Sequence, residues 1–402
     1  MSDFIETNFQ REVEFLKALV RVPSDNPPGD CAPHAEAAQA LLERLGFKVE
    51  AHKVPDDLVK QYGMRSVTNL IVREKFGSGP VIALNAHGDV VPPGQGWTHD
   101  PYGAVEQGGA IYGRGAAVSK SDFASYGYAL LALKDNPAGL DGTVELHLTY
   151  DEESGGFLGP EWLLNEGISK PDLAIIAGFS YAVVTAHNGV LHLEVTVKGR
   201  QAHAALPESG ADALQAATGV LTALYAERKR LAKRKSKQPG IGSAKLTVGL
   251  ISGGINTNVV PDRIAMRLDR RLIPEENGAK VEKALVALIK RAAKGKGISV
   301  DCRRVMLAEP LKPIAGIERL VEPLTRHGKR ELKAKIAVKG VPLYTDARHY
   351  SAAGIPTVLY GAGPRSILEA NAHSADEHIK LSDLKAATRV IEATLRDVLT
   401  SK

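Results

Sequence analysis

The run Val81-Ile82-Ala83-Leu84-Asn85-Ala86-His87-Gly88-Asp89 constrains this chain more than any other stretch. Five of its first six residues are apolar, and a polar turn containing glycine follows. That is the pattern of a buried strand ending in a loop, the usual seat of chemistry in an open α/β sheet. His87 and Asp89 stand two apart at the strand end. An imidazole can ligate a metal through one nitrogen while a nearby carboxylate holds its other N–H. A surface histidine beside a turn aspartate would read the same, so the rest of the chain has to decide.

The flanking segments place that strand in a larger sheet. Apolar positions Ile5, Phe9, Val13, Leu16, Leu19 and Val20 recur at helical spacing until Pro23. A second helix is expected over 33–45, strands near 47–54 and 67–74, a helix over 123–134, and strands over 144–150 and 173–178. Strands alternating with helices predict an α/β fold, a doubly wound and mostly parallel sheet with helices on both faces. The pattern changes after Asn188-Gly189. Leu191, Leu193, Val195 and Val197 alternate strictly, and the order that follows is β-α-β-β-α-β, a ferredoxin-like arrangement. This predicts an inserted domain over 188–307, with 1–187 plus 308–402 forming the main domain. A helix near 315–327, a strand at Thr357–Tyr360 and a C-terminal helix from Ser382 complete it.

Composition narrows the class. Hydrophobic residues at 44% and charged residues at 24% are ordinary for a globular protein. No apolar run approaches membrane-spanning length, and the first residues have neither a basic region nor an apolar one, so the chain reads as cytoplasmic. Cys31 and Cys302 form no CxxC pair and no thiolate zinc site. The net charge of +5 misleads, because residues 228–237 carry seven positive charges and the rest stands at −2. That basic run has no interleaved aromatics and reads as a solvated helix end and loop, so no nucleic-acid partner is expected.

The chemistry lies in the succession after His87: Gly113-Arg114-Gly115-Ala116-Ala117, then Asp151-Glu152-Glu153-Ser154-Gly155-Gly156, then Ala372-His373-Ser374-Ala375-Asp376-Glu377. In order and spacing this succession resembles the M20 metallopeptidases, the acetylornithine deacetylase, succinyl-diaminopimelate desuccinylase, aminoacylase-1 and carboxypeptidase G type. The resemblance implies a metal-dependent hydrolase of a small substrate's amide bond. It implies that His87, Glu153 and His373 are metal ligands, that Glu152 is the general base and that Asp89 supports His87. It also makes the inserted domain a lid that dimerises. In that lid His203 reaches the partner's active site and stabilises the oxyanion, Asn258 matches the family's lid asparagine, and Arg271 holds a substrate carboxylate, a task that suits a planar guanidinium. Gly361, in Gly361-Ala362-Gly363, would line the substrate cleft.

Two departures stand out. Val118 occupies the place of the aspartate that bridges two metal ions in the family, and valine cannot ligate. The stretch Ala174–Tyr181 lacks the carboxylate expected there as a further ligand. Asp122, one helical turn past Val118, is either a replacement ligand or the N-cap of a helix starting at Phe123. His187 is either an extra ligand or part of an interdomain hinge. Three nitrogen and oxygen ligands suffice for one catalytic divalent ion, Zn, Mn or Co. The expectation is therefore one metal per chain in an N-acyl amino acid deacylase or dipeptidase-like enzyme. The alternatives are hydrolysis of a non-peptide C–N bond, as by an amidase or deaminase, and a non-catalytic binding protein that has lost a dinuclear site.

Overall fold

The structure, a computed structural model, describes residues 3–400. The described residues divide into two compact units, one of those up to 185, 313–339 and those from 345 on, the other of residues 186–312 and 340–344.

The first unit is built on an eight-stranded sheet. In spatial order its strands are Val49–Lys53, Thr68–Lys75, Thr143–Thr149, Val81–His87, Leu173–Ile176, Thr357–Leu359, Ala182–His187 and Ala337–Val341. The four central strands, from Thr143–Thr149 to Thr357–Leu359, run parallel, and the two outer strands on the Val49 side pair antiparallel. The expected α/β architecture is present. Ile82 and Leu84 on one face of the His87 strand and Ala83 on the other are all fully buried, because helices cover a parallel sheet on both faces. The helix Lys120–Asp135 packs on this strand and against the helices Phe4–Val20 and Leu381–Leu399. It begins three residues earlier than periodicity suggests, with Ser119 at its N-cap. Asp122 therefore lies in the first turn and does not cap the helix. A small sheet of Val105–Gln107, Ala110–Tyr112 and His378–Lys380 was not expected.

The second unit carries a four-stranded sheet in the order Lys245–Gly253, Arg263–Leu272, Gly189–Lys198, Ser299–Ala308, with every neighbour antiparallel. That is the ferredoxin-like strand order, as the β-α-β-β-α-β reading requires. Leu191, Leu193, Val195 and Val197 share one core with residues of the helices Ala213–Leu231 and Gly278–Ala292, the alternation having selected the covered face. No helix among the described residues is long and apolar enough to cross a membrane.

Candidate metal centre

The strand Val81–His87 delivers His87 to the carboxyl end of the parallel strands, beside the turn that follows Thr143–Thr149. The imidazole is buried and held from its Nδ1 side. Nδ1 lies 2.9 Å from the Asp89 carbonyl and 3.3 Å from its Oδ1. Nε2 points the other way, 3.9 Å from Glu152 Oε2. A ring fixed through one nitrogen presents the other as a lone pair for a cation.

Asp89 is the hub of the site. Its Oδ1 accepts the Glu152 N–H at 3.2 Å and its Oδ2 the Glu153 N–H at 3.1 Å. Oδ2 also accepts the Asn26 amide at 2.9 Å, and the same amide reaches Ser154 Oγ at 2.6 Å. One carboxylate therefore ties together both halves of the site. Asn26, in a proline-rich loop, escaped the sequence reading, because nothing local marks its partner.

His87, Glu152 and Glu153 converge, with one ligand atom from each within 4.8 Å of the others. His373 is not in that trio, but its Nε2 lies 3.1 Å from Glu153 Oε1. Glu377 anchors the His373 loop. Its Oε2 takes the buried Arg114 at 2.6 Å, and its Oε1 takes the N–H groups of Ala117 and Val118 at 3.1 Å each. Val118 is thus close to the site by its backbone, with no carboxylate to offer.

Neither candidate replacement belongs to that trio. Asp122 is buried, its Oδ1 accepting the Ala362 N–H at 2.7 Å, and burial pushes its carboxyl up to about 8. Gly361 is glycine because that carboxylate fills the space of a side chain. His187 is buried at the end of the strand Ala182–His187, with Nδ1 2.9 Å from the Asn188 carbonyl. Where the resemblance implies a further carboxylate ligand, Gly178 packs on Leu359 and Tyr360, and the Gly363 N–H donates to the Gly178 carbonyl at 2.9 Å.

Several buried carboxyl groups crowd around His87. Burial pushes the Glu152 carboxyl well above its ordinary range, with Glu153, Asp346 and Asp89 adding to the push and His87 opposing it. Burial also lifts Asp346, to about 7, and lifts Asp151 well above the usual carboxylate range. Asp151 Oδ1 is buried without a hydrogen-bond partner. Burial disfavours charge on His87, yet the surrounding carboxylates outweigh it and raise its pKa well above normal. Carboxyl oxygens crowded around one oriented imidazole fit a divalent ion, which would hold them ionised. Asp346 is a member of this crowd that the sequence did not disclose.

The residues expected of a lid, His203, Asn258 and Arg271, belong to the second unit. His203 and Asn258 are neighbours there, since His203 pairs with Val259 and the Ala204 N–H donates to the Asn258 carbonyl at 3.0 Å. Both are exposed. Arg271 is half-buried, with Nε 3.0 Å from Asp269 Oδ1. Asp269 Oδ2 also lies 3.2 Å from His192 Nε2.

An α/β sheet with a histidine and two glutamates converging at its strand ends fits a metal-dependent hydrolase. The chain belongs to peptidase family M20/M25/M40, which it matches over residues 83–397. It is 28% identical over 401 residues to a succinyl-diaminopimelate desuccinylase of Rhizorhabdus wittichii, covering 96% of this chain and 98% of the relative. It is 28% identical over 366 residues to an acetylornithine deacetylase of Myxococcus xanthus, covering 89% and 90%. Its fold is similar to an M20 family metallo-carboxypeptidase from Sulfolobus solfataricus, with a TM-score of 0.76, 19% identity and 99% of each chain covered. It is also similar to a dinuclear metal-binding M20 peptidase of Bacillus subtilis, with a TM-score of 0.72, 17% identity and coverage of 98% and 100%. The chain is accordingly a hydrolase that cleaves amide bonds of small substrates with the help of a divalent metal.

Proposed function

We propose that the chain deacylates a small N-acyl amino acid, or splits a dipeptide-like substrate, that bears a carboxylate. The relatives named for succinyl-diaminopimelate and acetylornithine put N-succinyl and N-acetyl amino acids first among the substrates to try. The observation that carries this reading is the convergence of His87, Glu152 and Glu153 within 4.8 Å.

His87, Glu153 and His373 would hold one divalent ion, which supplies Lewis acidity to the water and to the scissile carbonyl. Glu152 takes the proton of the attacking water and returns it to the leaving amine. A carboxyl raised by burial suits both halves of that task. Asp89 orients His87 and, through the two backbone N–H groups, fixes the glutamates. Asn258 and His203 would steady the oxyanion, His203 acting in the partner's site, and Gly361 would line the cleft. Arg271 would bind the substrate carboxylate.

The reading includes a homodimer formed through the second unit, taken here as a lid domain. Lys245–Gly253 is an edge strand of its sheet and exposes Leu250 and Ile251 at 68% and 52%. A long apolar edge is a site for pairing with another chain. Cys31 and Cys302 are both unpaired thiols, in keeping with a cytoplasmic enzyme. A second reading, cleavage of a non-peptide C–N bond, is favoured only by Val118 and Gly178, which remove two carboxylates from the expected ligand set.

The test is turnover with Zn²⁺, Mn²⁺ or Co²⁺ on a panel of N-succinyl and N-acetyl amino acids, dipeptides and simple amides, read by release of the free amine. Activity on the carboxylate-bearing members that chelator abolishes is expected. Activity confined to amides without a carboxylate would overturn the substrate class.

A further inference from the structure

The strand Thr143–Thr149 has two buried faces of opposite character. Val144, Leu146 and Leu148 make one of them apolar, as a covered sheet requires. The other carries Glu145, His147 and Thr149, with His147 and Thr149 at 0% exposure. Each polar residue on this face has a partner. Glu145 takes the Arg73 guanidinium and the Ser169 hydroxyl, and its Oε2 lies 2.9 Å from His147 Nε2. His147 Nδ1 lies 2.7 Å from the Tyr350 hydroxyl, the two rings stacked. Thr149 Oγ1 lies 3.5 Å from Asp346 Oδ2.

Tyr350 and Asp346 belong to the helix Ala347–Ala352 and its N-terminal boundary. The same helix grips the turn after Glu152-Glu153. The Gly155 carbonyl accepts from His349 Nε2 at 2.9 Å and from the Arg348 guanidinium. Asp346 Oδ1 and His349 close over Gly156, which has φ +69 and no room for a side chain. An aspartate at a helix start ordinarily caps its own helix. Asp346 makes no such bond and is turned to Thr149 and Gly156 instead. The strand before the glutamate pair and the turn after it are thus fastened to one short helix. Buried polar networks of this kind bring little net stability over apolar packing, so fold stability alone does not account for this one.

We propose that Asp346 and Tyr350 are positioning residues that set the aim of Glu152 and Glu153 by clamping the strand end and the turn on either side of them. This rests on the reading of Glu152 and Glu153 as the working pair. The test uses the full chain loaded with Co²⁺, comparing wild type, Asp346→Asn, Tyr350→Phe and Glu153→Gln by Co²⁺ affinity, visible d–d spectrum, kcat and KM. Folded Asp346→Asn is expected to bind Co²⁺ about 10–100-fold more weakly, the usual cost of losing a group that orients ligands. Its d–d bands should shift, and its kcat should fall with little change in KM. Tyr350→Phe should move the same readouts in the same direction by less, and it decides the matter should Asp346→Asn fail to fold. Lowered melting temperature with wild-type cobalt affinity and spectrum would mean a merely structural role and overturn the proposal. Wild type that binds no Co²⁺, or Glu153→Gln that binds it unchanged, would instead overturn the reading of the glutamate pair and the proposal with it.

Discussion

His373 Nε2 and Glu153 Oε1 lie 3.1 Å apart, although the two residues come from distant parts of the chain. The contact raises the His373 pKa, chiefly through the hydrogen bond to Glu153, with burial opposing. Glu152 instead faces His87, its Oε2 3.9 Å from Nε2, beyond hydrogen-bond reach. The two adjacent glutamates thus have different neighbours, and different roles should follow.

Glu152→Gln should lower turnover by about 10²–10⁴-fold, the usual contribution of a general base, while metal content stays near wild type. Glu153→Gln should lose metal first and activity as a consequence. Metal analysis and single-turnover rates at saturating metal check this. Equal metal loss in both variants would refute the division of labour.

Metal stoichiometry should be one per chain. Val118 and Gly178 remove two anionic ligands, so charge and coordination number both fall and the ion should be held loosely. Elemental analysis after dialysis should find one equivalent or less. Added Zn²⁺ at about 100 times its dissociation constant should stabilise the protein by about 2.7 kcal/mol. Two ions per chain surviving dialysis would contradict the prediction.

The parts of this site visible in the sequence are those with a local signature. His87 closes an apolar run, Glu152 and Glu153 are adjacent at a strand end, and the ferredoxin-like unit shows itself by strict alternation. What stayed hidden depends on chain closure. Asp346 precedes a six-residue helix and reads as an ordinary cap. Asn26 reaches Asp89 from a proline-rich loop. The strands of the small sheet, three residues each, are too short for alternation to register. The sequence Val144-Glu145-Leu146-His147-Leu148-Thr149 does carry a signal: it alternates apolar with polar on a strand with two covered faces, which marks a buried polar partner on one side.

Arg271 can be tested by chemistry rather than by position. Its guanidinium is already paired with Asp269, so a substrate carboxylate would have to share it. Hydrogen bonds to charged groups contribute about 1.5–3 kcal/mol. Arg271→Ala should therefore raise KM by roughly 10–100-fold while kcat changes less. Wild type should also discriminate between a substrate and its carboxamide, and the variant should not. Equal discrimination by both would remove Arg271 from the substrate site.

Glu12 gives a stability prediction far from the metal centre. It lies on the helix Phe4–Val20 with no exposure, its Oε1 2.5 Å from Thr388 Oγ1 and its Oε2 without a partner. Burial pushes its carboxyl up to about 8, against the pull of Thr388 and Lys385. The folded state therefore favours the neutral acid, whereas the unfolded chain ionises near the ordinary carboxylate value. The protonated group's stabilisation is complete below that ordinary value and is lost as pH rises toward 8, because the folded state must then either keep a proton or bury a charge. Glu12→Gln keeps the shape and cannot ionise. Urea unfolding should show little difference between variant and wild type at about pH 5, and a variant more stable by roughly 2–4 kcal/mol at about pH 8.5. A gain of the same size at both pH values would mean that the substitution acts through packing, and the assigned ionisation would be wrong.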